Sequence, residues 1–207
     1  MSKDKSDSHA ELLRDAIANY EKDEMSIAVE QFMNLAKNHC EEAFLYLSLI
    51  FREGDGVKKD ELAAARYKRQ YVQIIEANAV EEKAGYKLKL AYLLQFGDGT
   101  AVDDARSFSL FLELATEGCG EAQFHLSRIF ARGECGQAED SELEMHWLKE
   151  ATRTEWPIAI YYTALCLESS SNTVESLYRV VELMERSSQL GCWQAREYLR
   201  VHREVPG

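Results

Sequence analysis

Proline is scarce, with two residues in 207, at Pro157 and Pro206. So few helix breakers leave most of the chain free to be helical. Long apolar runs are missing as well: no stretch of about 18 or more apolar residues occurs, so no segment is expected to span a membrane. The opening residues, Met1 to His9, hold no apolar h-region, which predicts no secretory leader and a cytoplasmic protein. Positive charge is in deficit, 24 Lys and Arg against 36 Asp and Glu, for a net charge of −12. That balance argues against nucleic-acid binding, which needs a basic footprint, and against docking on an anionic membrane.

Chemistry-bearing motifs are equally thin. Cys40, Cys119, Cys135, Cys166 and Cys192 are odd in number and form no C-x-x-C pair. They read as reduced thiols, mostly buried, with Cys135 the most exposed because it sits in the loop Arg132-Gly133-Glu134-Cys135-Gly136. His9, His39, His125, His146 and His202 are scattered, with no H-E-x-x-H and no G-x-S-x-G. Paired glycines at Gly54-Asp55-Gly56 and Gly97-Asp98-Gly99 lack the Gly-Lys-Ser/Thr of a phosphate loop and the spaced acids of a calcium loop. No catalytic residue, no metal and no cofactor is expected, and the chain does not read as an enzyme.

What the sequence does hold is a repeat. Ala43, Leu47 and Phe51 recur as Ala84, Leu88, Tyr92 and as Ala122, Leu126, Phe130. A weaker copy runs Ala159, Thr163, Leu167, and a last one starts Ala195, Leu199. Small–large–large at i, i+4 and i+8 marks one face of a helix, and a period in the thirties to forties marks a stack of such units. In each unit a second helix follows an Asp (Asp60, Asp104, Asp140) placed to accept the free amides of a first turn. Gly118 and Gly191, four residues before their anchors, suit a left-handed C-cap, whereas His39 in the equivalent place needs a costlier turn.

Ala43-x3-Leu47-Ser48-x2-Phe51-x2-Gly54-x-Gly56-Val57-x2-Asp60 resembles the Sel-like repeat, a two-helix relative of the tetratricopeptide repeat. The resemblance extends over nearly the whole chain after about residue 10, strongest over 43–72 and weakest over 159–190. It implies an all-α fold, an α/α superhelical solenoid of about five helix-turn-helix repeats closed by a C-terminal capping helix. Helices are expected near 8–22, 25–38, 41–53, 60–77, 81–96, 103–117, 120–132, 141–152, 157–169, 173–189 and 193–203. Residues 1–7 are expected to be a disordered tail, 8–203 one solenoid and 204–207 a frayed end. Where the family carries a glycine after the Leu, this chain has Ser48, Lys89, Ser127 and Ala164, and Lys89 is expected to loosen its unit.

Counting each anchor Ala as zero at about 100° per residue, positions +2, +6 and +9 lie opposite the inward face. Position +2 reads Leu45, Tyr86, Phe124 and Tyr161; +6 reads Leu49, Leu90, Arg128 and Leu165; +9 begins with Arg52. Apolar residues there have two readings. They line a partner-binding groove with Arg52 and Arg128 as polar handles, or the aromatic residues pack against the neighbouring first helix, as the resemblance also implies. The function expected is a protein-interaction scaffold or adaptor. The alternative is an immunity-type inhibitor that neutralises a toxin or enzyme. The acidic surface suits a basic partner protein, and self-association stays open beside it.

Overall fold

The computed structural model describes residues 3–81, 83–171 and 173–203. Among them are eleven helices and no strand. In chain order these are α1 (Lys3–Glu21), α2 (Met25–Lys37), α3 (Glu41–Glu53), α4 (Glu61–Val80), α5 (Ala84–Phe96), α6 (Asp104–Thr116), α7 (Gly120–Arg132), α8 (Ser141–Arg153), α9 (Pro157–Ser170), α10 (Val174–Gln189) and α11 (Trp193–Arg203). Helix α1 begins at Lys3, ahead of the expected residue 8, and α4 runs on to Val80. Residues 1–2 and the expected frayed end at 204–207 lie outside the described residues. Packing divides the chain into two compact units, Met1–Val102 and Asp103–Gly207, each described by itself.

The second helices start where carboxylates wait for them. The Ala63 amide donates to Asp60 at 2.9 Å, the Arg106 amide to Asp103 at 3.0 Å, and the Glu142 and Leu143 amides to Asp140 at 3.0 and 2.9 Å. The cap of α6 is therefore Asp103, not Asp104, which lies one residue inside the helix. Such caps are each worth about 1 kcal/mol. The expected left-handed turns are present at Gly118 and Gly191 (φ 91° and 99°). His39 and Glu155 adopt the same turn with φ 60° and 61°, where a Cβ costs about 1–2 kcal/mol.

In the first unit α1, α2 and α3 close on Ala16, Ala28, Phe32, Leu35, Leu47 and Ile50. Tyr46 of α3 stacks on Phe32 of α2 with centroids 4.6 Å apart, and Phe51 stacks on Tyr67 of α4 at 5.5 Å. Full burial of Phe32 and Leu47 stabilises the unit by about 1.5–3 kcal/mol each. In the second unit, Ile160 and Ala164 of α9 meet Val180 and Met184 of α10 and Ala195 of α11. Leu148 and Ala151 of α8 close on Ala159.

Cys135 and Lys89 also depart from expectation. Cys135 is buried, 6 % exposed. Its φ of 52° folds the loop back so that the thiol lies beside Asp104 and Ser107 of α6. Lys89, expected to loosen its unit, lies on the surface instead, where its Nζ is 2.5 Å from Glu41 Oε1 and ties α5 to α3.

Candidate functional site

The first unit carries an open cleft of about 600 Å3 between α3 and α4. Three residues placed there by the +2, +6 and +9 spacing, Leu45, Leu49 and Arg52, line it from α3. Their helix is fixed underneath by buried Ala43, Leu47 and Ile50, which leaves the opposite stripe free to face outward. Ala64, Ala65, Lys68 and Arg69 supply the wall from α4. Leu45, Leu49 and Ala65 retain accessible surface, while Ala64 is buried.

The turn after α5 completes the cleft. Asp98 accepts from Lys68 Nζ at 2.6 Å, with the Lys68 side chain 15 % exposed. Gly99 sits beside them at φ 85°, and a Cβ there would come within 2.5 Å of Lys68 Cγ. A glycine is thus required both by the backbone and by the passing lysine stem. Lys68 Nζ also lies 5.2 Å from the Tyr71 ring centroid, so the ammonium is held from two sides.

Tyr86 and Leu90 do not join this cleft. The helix ends give the reason: α3 ends on Gly54 and α5 on Gly97, both left-handed. Aligning these caps puts Tyr86, not Ala84, in register with Ala43, so the expected register of α5 was two residues out. Leu90 then matches Leu47 and is buried at 2 % exposure. Ala84 is exposed. Tyr86 lies beside Glu41, which accepts a hydrogen bond from its hydroxyl and raises its pKa; Lys89 Nζ is 5.2 Å from its ring. The residues of α5 that correspond to Leu45, Leu49 and Arg52 are Leu88, Tyr92 and Gln95, all half-buried. The cap glycines were the signal that pointed to them.

In the second unit the expected site residues pack. Phe124 of α7 lies against the Leu148–Ala151–Ala159 cluster, its ring 5.3 Å from Tyr162 of α9. Arg128 stands over that same Tyr162 ring at 5.3 Å. Tyr161 and Leu165 lie against the core of α9, α10 and α11. Phe124 and Tyr161 of the aromatic row, half-buried, thus have packing neighbours in this unit, and Arg128 lies over a ring.

No described group of three His, Cys, Asp or Glu side chains is placed to hold a metal ion, and no described helix is long and apolar enough to cross a membrane. The sequence missed Lys68, Arg69 and Asp98, whose contribution comes from the second helix and the turn.

No protein-family model matches the chain. It is 24 % identical over 184 residues to the exopolysaccharide production negative regulator of Rhizobium leguminosarum bv. viciae, a match covering 86 % of this chain and 67 % of that protein. Among solved structures it is similar to a protective antigen of uropathogenic Escherichia coli with an SLR fold. The TM-score there is 0.54 at 19 % identity, over 87 % of this chain and 45 % of that one, so the chain spans under half of the antigen. A Sel1 repeat protein from Oxalobacter formigenes aligns with a TM-score of 0.59 at 16 % identity, over 94 % of this chain and 78 % of that one. The all-α helical-repeat fold of the Sel-like type is the fold of this chain.

Proposed function

We propose that the chain is a non-enzymatic binding protein that docks a partner protein in the α3–α4 cleft. The observation that carries this reading is the cleft itself: accessible leucines on a firmly packed helix, rimmed by cations, in a volume of about 600 Å3. That is the composition of a recognition site, an apolar floor with a few placed polar groups. Helical-repeat proteins present such surfaces from rigid helices, which lowers the ordering cost of binding.

A regulatory role is the form of this function we favour over toxin neutralisation. The relative from Rhizobium bears the name of a negative regulator, and a binding protein can regulate by holding another protein. The test is affinity capture from the source cell with the wild-type chain and with a Leu45→Ser/Leu49→Ser variant. The reading expects a partner recovered by the wild type and lost from the variant, with circular dichroism showing both chains folded at the capture temperature. A partner recovered equally by both places binding elsewhere.

A further inference from the structure

The total charge of the chain points to a basic partner; the cleft points the other way. The −12 is spread over 12684 Å2 of surface. It is the sum of 24 positive and 36 negative side chains, and at physiological salt an exposed charge is largely damped beyond the screening length of about 8 Å. A ligand seated in the cleft therefore answers to the charges lining it, and not to the sum.

Those charges are Arg52, Lys68 and Arg69 against Glu61 and Asp98. Asp98 is already taken by Lys68 at 2.6 Å. Glu61 lies 3.5 Å from Lys59, outside the cleft. Arg52 pairs with its neighbour Glu53 at 2.8 Å, but both side chains are more than half exposed, so the pair is weak and gives way easily. Arg69 is exposed on the α4 wall of the cleft. The cleft thus offers two guanidinium groups, and an Arg fork matches a carboxylate with two parallel hydrogen bonds.

We infer that the partner segment in this cleft is acidic and apolar: a leucine-like side chain seats on Leu45 and Leu49 while Arg52 and Arg69 take a carboxylate. This rests on the docking function proposed above and adds the chemistry of what docks. With Lys68 and Asp98 neutralising each other, a basic segment would meet Arg52 and Arg69 with Glu61 to answer it, and like-charge contact of that kind disfavours a partner.

The probe is an immobilised array of 12-residue peptides, each with three leucines at varied spacing. The other positions are drawn from Asp and Glu, from Asn and Gln, or from Lys and Arg. The full chain is applied at 150 mM salt, and the best acidic peptide is then titrated in solution. The acidic set should retain the chain, with affinity falling as salt rises. An Arg52→Gln/Arg69→Gln variant should lose at least 10-fold in affinity while keeping its melting temperature, and Arg153→Gln in the second unit should match the wild type. Equal or greater retention by the neutral or basic set, retention by none, or an unchanged affinity in the double variant overturns the inference. So does displacement of the acidic peptide by a 12-nucleotide single-stranded oligonucleotide, which would make the ligand a phosphate backbone. If the cellular partner is lost by Leu45→Ser/Leu49→Ser yet kept by the arginine variant, docking stands and the acidic chemistry falls. If neither variant loses it, both fall.

Discussion

Lowering the pH should destabilise the fold through His125. Its ring lies on Phe111 with centroids 4.1 Å apart, and Phe111 is fully buried. Burial disfavours the imidazolium and pushes the pKa from 6.5 down to about 4; Arg128 and Arg132 act in the same direction and Glu134 opposes them. The unfolded chain thus binds a proton near pH 6.5 that the folded chain refuses until about pH 4. Stability is fully present above 6.5 and is lost as pH falls through the window down to 4. Linkage over that window amounts to about 2 kcal/mol by pH 5 and about 3 kcal/mol by pH 4. Urea unfolding at pH 7 and pH 5, for the wild type and for His125→Phe, isolates this contribution from the carboxylates that both chains share. The wild type should lose about 2 kcal/mol more than the variant between the two values. An NMR titration placing His125 near 6.5, or equal losses in the two chains, would refute the reasoning.

Asp140→Ala removes the acceptor of two first-turn amides of α8 and should cost about 1 kcal/mol in urea unfolding. His39→Gly relieves a left-handed turn and should raise stability by about 1 kcal/mol in the same assay. Leu90→Ala should cost about 2–4 kcal/mol, because it empties a closed site in α5, whereas Leu49→Ser on the half-buried cleft wall should cost less, about 1–2 kcal/mol. Thiol titration should count five reactive groups in the denatured, unreduced chain, with Cys135 and Cys192 slowest to react in the folded one.

Helix order was legible because the features that set it are local. An Asp before an apolar-periodic stretch and a Gly after one act through neighbouring backbone amides and carbonyls, so most helix ends fall within a residue or two of expectation. The α5 error shows where periodicity alone fails. Ala84, Leu88 and Tyr92 imitate the small–large–large pattern, yet Lys87, Leu90, Ala91 and Leu94 face inward. The distance to the C-cap glycine was the stronger marker, since a left-handed cap fixes the helix phase that side-chain size merely suggests. Cys135 was misplaced because glycines predict a turn but not which way the turn folds. Half the cleft was readable from α3. The other half depends on how α4 crosses α3 and on where the Gly97–Gly99 turn returns, and one helix's periodicity contains neither.

Hydrogen exchange on the full chain, with and without its captured partner, tests the central claim of docking at the α3–α4 cleft most directly. Bound partner should slow exchange in residues 45–53 and 61–69 and leave α9 to α11 unchanged. Slowing confined to the second unit, or to α1 and α2, would contradict a binding cleft formed by Leu45, Leu49, Arg52 and Arg69.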